Sequence, residues 1–236
     1  MSADSPAPEP IIIAIDGPAA SGKSSVARAL AQQLEIAYIN TGAMYRAVTW
    51  HALRSGVPSN DAEAVKALLD ATEFTCGLDG RQESTFLIDG VDPTPELVSE
   101  QINANVSQIA SILEVRRLLV ALQRDYARTG DLVMEGRDIG SAVFPETRFK
   151  FYIDASAEVR AQRRARQGLQ DSIQNRDKLD SSRRLSPLTI AEDAHVIDSS
   201  SLTIDGVVGE IVGRLKQKGL AIAPSRSPLL RAEFRL

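Results

Sequence analysis

Residues 11–30 read IIIAIDGPAASGKSSVARAL, and they decide the fold. Ile11 to Ile15 is a β-branched apolar run of the kind that fills a buried parallel strand. Gly17-Pro18-Ala19-Ala20-Ser21-Gly22-Lys23-Ser24 then satisfies G-x-x-x-x-G-K-[ST] at every position. Val26, Leu30 and Leu34 recur every four residues and mark one face of a helix. Strand, glycine-rich turn and helix in that order predict a P-loop. Gly17 and Gly22 let the backbone turn tightly and bring its N–H groups to phosphate oxygens. The helix N-terminus adds partial positive charge beneath them. Lys23 is a long point charge able to reach β- and γ-phosphates. The Ser24 hydroxyl is suited to ligate Mg²⁺.

Working outward, the pattern alternates strands and helices. Ile36–Asn40, Asp131–Glu135, Arg148–Ile153 and Ala194–Asp198 read as further strands. Helices are expected over Ala43–Ser55 and Asp61–Leu69, from a Thr94 cap and Pro95 onward with interruptions to about Arg128, after Ser156, and along Ile204, Val208, Ile211 and Leu215. That alternation predicts an α/β fold, a doubly wound parallel sheet. Phe74 to Val91 differs: it alternates and is broken by Asp79-Gly80 and Asp89-Gly90, which predicts an antiparallel three-strand insert. Residues 1–10 are polar and Pro-rich and read as a disordered leader; 219–236 read as a flexible tail. Between them, 11–218 form one domain with an insert at about 70–108 and a lid at about 160–186.

Composition narrows the function. The chain has 236 residues, 43% of them hydrophobic, enough for a full core. It carries 27 Lys+Arg against 31 Asp+Glu, a net charge of −4, so a nucleic-acid coat is not expected. No run of about 18 apolar residues predicts a membrane span. The first residues lack the basic and apolar segments of a signal peptide. Cys76 is the only cysteine, in keeping with a reducing cytoplasm. Charge is nonetheless uneven: eight Arg and Lys against three Asp lie between Arg160 and Arg184, so that segment is expected to face something anionic.

Three more stretches bear on chemistry. Asn40-Thr41-Gly42-Ala43-Met44-Tyr45-Arg46 closes a strand beside the P-loop, where open α/β sheets bind ligands. Thr41 and Arg46 can donate to a second phosphate. Glu135-Gly136-Arg137-Asp138 closes another strand. Glu135 can hold Mg²⁺ or its waters, Arg137 can clamp a transferring phosphate and Asp138 can accept from a base amino group. Arg176, Asp177, Asp180 and Arg183 share a helix face before Ser186-Pro187-Leu188 and suggest a lid. Each stretch taken alone also fits a plainer reading: a helix cap with a surface arginine, a tight turn with an Arg–Asp pair, a solvated charge ladder.

Taken together, GPAASGKS, NTGAMYR, the 74–91 insert, NANVSQIASILEVRRLL, EGRDIGSAVFP and RDKLDSSRRLSPL followed by AEDAHVIDSS resemble the bacterial cytidylate kinases, over about residues 11–216 and in matching order. The resemblance implies a monomeric P-loop nucleoside monophosphate kinase. It would transfer the γ-phosphoryl of ATP to CMP or dCMP with Mg²⁺. It implies that Gly17, Pro18, Ala19, Ala20, Ser21, Gly22, Lys23, Ser24 and Ser25 bind ATP. Thr41, Arg46 and Arg137 would hold the CMP phosphate. Ser107, Arg116 and Asp138 would read cytosine, with Arg183 alongside. Asp180 and Arg176 would approach the ribose, and lid arginines including Arg176 the ATP phosphates. Lys23, Arg46, Arg137 and Arg176 would carry the catalysis. Asn40 stands where the family pattern has Asp, and Ser141 where it has Thr.

No protein base is required, because a phosphate monoester is mostly ionised near neutral pH. His51 and His195, the only histidines, therefore read as structural. Another small P-loop kinase, acting on UMP, dTMP or shikimate, is the alternative, although shikimate and thymidylate kinases leave the insert unexplained. A regulatory GTPase would need N-K-x-D and D-x-x-G, and the chain has neither.

Overall fold

A computed structural model describes residues 9–166, 173–183, 186–220 and 234–235. The expected leader and tail fall mostly outside these residues. The strands are β1 (Ile12–Asp16), β2 (Ala37–Asn40), β3 (Phe74–Leu78), β4 (Ser84–Ile88), β5 (Leu132–Gly136), β6 (Phe149–Asp154), β7 (His195–Asp198) and β8 (Phe234–Arg235). The helices are α1 (Lys23–Leu34), α2 (Thr41–Arg54), α3 (Ala62–Asp70), α4 (Glu100–Ile109), α5 (Leu113–Asp125), α6 (Ala157–Arg166), α7 (Ile173–Ser181) and α8 (Ile204–Gln217).

Five strands form one sheet in the order β2-β5-β1-β6-β7, every pair parallel. Strand alternation sends successive side chains to opposite faces. Ile12, Ala14, Ile39 and Met134 pack on one side against Met44, Val48, Val115 and Leu119. Ile13, Ile15, Val133 and Phe151 pack on the other against Val26, Leu30, Val208 and Ile211. Helices α2 and α5 thus cover one face, and α1 and α8 the other, which is the doubly wound arrangement. Burying a side chain of this size contributes about 1.5–3 kcal/mol, so these two layers hold the sheet.

Local signals set the helix starts. Helix α2 begins at Thr41, two residues before the expected start, because the Asn40 side chain accepts from the Ala43 N–H (3.0 Å). Thr94–Glu96 is only a 3-10 turn, and α4 starts after Ser99, whose hydroxyl caps the Ile102 N–H (3.2 Å).

Within 74–91 two strands pair, β3 with β4. The expected third strand shrinks to a single bridge between Ile88 and Val91, because the Asp89-Gly90 turn returns the chain immediately. The third strand of this sheet is instead β8, which pairs with the free side of β3. The turn between β3 and β4 docks on the main sheet. The Tyr38 N–H donates to the Gln82 carbonyl (2.8 Å), and Arg28 of α1 pairs with Glu83 (2.9 Å). No helix among the described residues is long and apolar enough to cross a membrane.

Candidate active site

Three adjacent strands, β2, β5 and β1, run parallel and end together. In register, Asn40 lies opposite Glu135 and Asp16 opposite Gly136. The three motifs that follow these ends therefore share one edge, where open α/β sheets hold ligands.

The P-loop lies between β1 and α1. A Cβ on Gly17 would sit 2.1 Å from the Ile153 carbonyl oxygen, so only glycine fits. Gly22 holds φ 93° at the N-cap of α1, a left-handed conformation that glycine adopts without penalty. Lys23 is 6% exposed, and its Nζ donates to the Pro18 carbonyl (3.0 Å). Burial, with the charges of Arg137 and Arg46 nearby, lowers its ammonium pKa to about 7. An anion in the loop would relieve that penalty.

The second segment starts at the end of β2. The Thr41 hydroxyl donates to the Glu135 carbonyl (2.8 Å), which leaves Arg46 as the charged donor of this segment. Glu135 is buried, with the Tyr38 phenol 3.4 Å from its Oε1. Asp138 is ion-paired with Arg116, and each is 4% exposed. Arg116 Nη1 is buried with no hydrogen-bond partner among the described residues.

Asp180 ties α7 to the core. Its carboxylate accepts from Arg137 Nε (2.9 Å) and Ser107 Oγ (3.1 Å), and it pairs with Arg183 as well. Burial opposes the charge of Arg137, and Asp180 outweighs it, so the guanidinium pKa rises.

One cleft gathers Ala19, Ala20, Gly22, Lys23, Ser24, Ser25, Thr41, Arg46, Ser107, Arg137, Asp138, Asp180 and Arg183 of the expected residues. Gly17, Pro18 and Ser21 serve the backbone of the loop, and Arg116 stands behind Asp138. The Arg176 side chain lies outside the described residues. The sequence matches the cytidylate kinase family over residues 13–217. The chain belongs to the cytidylate kinase family. The cytidylate kinase of Desulforamulus reducens is 46% identical to it over 211 residues, covering 85% of this chain and 94% of that one. That of Nocardia farcinica is 42% identical, covering 86% and 92%. One from Clostridium botulinum is 41% identical, covering 88% and 98%. As a cytidylate kinase family member the protein is a phosphotransferase, a nucleoside monophosphate kinase.

The cleft holds Tyr45, which sequence reasoning did not assign to the site, and Arg164, from the arginine-rich stretch expected to face an anion. Tyr45 lies one residue before Arg46 and places its ring beneath Arg116, 5.9 Å from the guanidinium carbon. Arg160 and Arg163, expected to face an anion, instead serve the fold. Arg160 reaches the Ala19 carbonyl (3.3 Å) and Asp177 (2.5 Å). Arg163 donates to the carbonyls of Ser21 (2.9 Å) and Ser199 (2.7 Å), so α6 is fastened to the P-loop. Asn40 caps α2 through its side-chain oxygen, a task that needs no charge. The two histidines lie away from the cleft: His51 contacts Thr72 (2.8 Å) and His195 contacts Glu210 (2.7 Å).

Among the described residues no cluster of three His, Cys, Asp or Glu could cage a metal ion. Ser24 and Glu135 both bring oxygens to the cleft. Mg²⁺ commonly takes one or two protein oxygens and completes its shell with substrate phosphates and water, so this donor set fits it.

Proposed function

We propose that this kinase transfers the γ-phosphoryl group of ATP to CMP or dCMP, yielding ADP and (d)CDP with Mg²⁺. The observation that carries the base assignment is the buried Asp138–Arg116 pair, with Arg116 Nη1 unpartnered among the described residues. Cytosine offers an N4 amino donor beside its N3 and O2 acceptors. The acceptor-only carboxylate of Asp138 matches N4, and the spare Arg116 donor matches N3 or O2. Uracil reverses two of these positions and would leave buried groups unpaired, which is a strong basis for rejection.

In this reading the P-loop takes ATP, with Lys23 leaving the Pro18 carbonyl for the phosphates. Arg46 and Arg137 hold the acceptor phosphate. An oxygen of that ionised phosphate forms the new bond to the γ-phosphorus as the bond to the β–γ bridging oxygen breaks in line. Ser24 and Glu135 would hold Mg²⁺, which supplies charge neutralisation on the transferring group when bound. The protein contributes position and positive charge. The lid segments α6 and α7, held to the core through Arg163 and Asp180, exclude water, the competing acceptor.

The test is a coupled assay with ATP and each of CMP, dCMP, UMP, AMP, dTMP and shikimate. Clear preference for CMP or dCMP is expected; equal or better use of another acceptor overturns the assignment. Asp138→Ala should lower kcat/KM steeply for CMP and less for UMP, since both an attraction and a repulsion are removed. A constant CMP/UMP ratio in the folded variant would leave Asp138 as only a partner of Arg116.

Arg46→Ala should harm acceptor use more than ATP binding. A lost charged hydrogen bond costs about 1.5–3 kcal/mol, roughly ten- to hundredfold in kcat/KM for CMP. Equal losses of ATP and CMP affinity would place Arg46 on the wrong substrate.

A further inference from the structure

Asp16 ends β1 one residue before the P-loop, and nothing in the phosphate-cradle motif calls for a carboxylate there. It is buried at 5% exposure. One of its oxygens accepts from the Ile139 N–H (2.8 Å) and the other from the Gly140 N–H (2.8 Å). These two amides open the single π-helical turn Ile139–Val143 that begins directly after Asp138. The Asp138 carbonyl in turn accepts from the N–H groups of Ala142 (2.9 Å) and Val143 (3.2 Å). The turn has no side-chain cap of its own. Asp16 supplies one from another strand, about 120 residues away in sequence, as the pairing of Asp16 with Gly136 in the β1–β5 ladder allows. Such π turns are rare and gather at functional sites.

We infer that Asp16 is a positioning residue for acceptor-base choice: by gripping the Ile139 and Gly140 amides it fixes the backbone that aims Asp138 at Arg116 and the base. The inference rests on the base-reading role proposed for Asp138. It also gives the donor and acceptor sites a common mount, because the residue that clamps the acceptor turn adjoins Gly17 of the P-loop. Coulombic contacts follow the same geometry. Burial, set against the two N–H donors and with Asp138 close by, leaves the Asp16 carboxyl raised to about 7. The carboxylate presents a separate acceptor oxygen to each amide. Asparagine keeps the shape and one acceptor but turns an NH₂ toward the other N–H.

The test compares Asp16→Asn, Asp138→Ala and the double variant, each folded by circular dichroism, in kcat/KM for CMP and for UMP. Asp16→Asn is expected to lower the CMP/UMP ratio by at least about tenfold, the scale of one charged hydrogen bond. The double variant is expected to show no further fall beyond Asp138→Ala, because Asp16 acts through Asp138. A merely structural Asp16 would lower both acceptors equally and leave the ratio intact, which overturns the inference while Asp138→Ala still supports the base reading. An unchanged ratio in Asp138→Ala overturns the base reading itself, and the Asp16 inference with it. Should Asp16→Asn not fold, amide exchange on the unmodified protein decides. Protection at Ile139 and Gly140 that rises further with CMP supports the inference; exchange as fast as that of the surface turns overturns it.

Discussion

Replacing Lys23 by alanine should lower turnover by at least about a hundredfold, the loss seen when one preorganised donor to a developing charge is removed. Its ammonium sits at the N-terminus of α1 with one backbone carbonyl as its hydrogen-bond partner. Burial and two nearby arginines work against its charge, which is why its pKa falls to about 7. A cation kept in so unfavourable a place serves the bound state and not the fold. The alanine protein should therefore unfold at the same temperature or a slightly higher one while losing turnover. Steady-state kcat and a thermal melt check both halves. Near-normal turnover, or a large fall in melting temperature, would contradict this assignment of Lys23.

Arg137→Ala should be comparably severe in kcat, again about a hundredfold or more. Arg137 follows the end of β5, lies among the cleft residues beside Lys23, and is held by Asp180 through Nε at 2.9 Å. That bond orients the guanidinium, whose terminal nitrogens would face the acceptor phosphate in the proposed reading; Nη1 also makes a long contact to the Gly136 carbonyl (3.5 Å). Removal also takes one partner from the Asp180 carboxylate, so α7 loses one of its ties to the core. Arg137→Lys keeps the charge but not the fork and should fall between the two. Single-turnover measurements at saturating ATP and CMP isolate the transfer step. A variant slowed only in product release would assign Arg137 to the lid and not to the transferring group.

The P-loop was legible because its residues are adjacent and each type has a separate physical task. The parallel sheet was legible because apolar runs and helical periods alternate from Ile12 to Leu215. Asn40 shifted the start of α2 because a cap depends on where one side-chain oxygen points, which the spacing of apolar residues does not report. Strand β8 and the Asp16 clamp escaped because both join positions far apart in sequence, and pairing of that kind leaves no local period. A clue to Asp16 was present: an acid closing a run of four buried apolar residues must find donors nearby. The arginine-rich stretch misled in part. Composition counts charges, but only the fold shows that Arg160 pairs with Asp177 of the same segment and that Arg163 serves backbone carbonyls.

Strand β2 is one margin of the five-stranded sheet, and an open margin with free N–H and C=O groups invites pairing with another molecule. The turn at 79–83 occupies part of that margin through Tyr38 and closes it with the Arg28–Glu83 pair. Asp79 stiffens the turn by accepting from the N–H groups of Arg81 (2.8 Å) and Glu83 (2.9 Å). The insert thus also covers part of an open sheet margin, and trimming it is expected to expose β2 to pairing with another molecule.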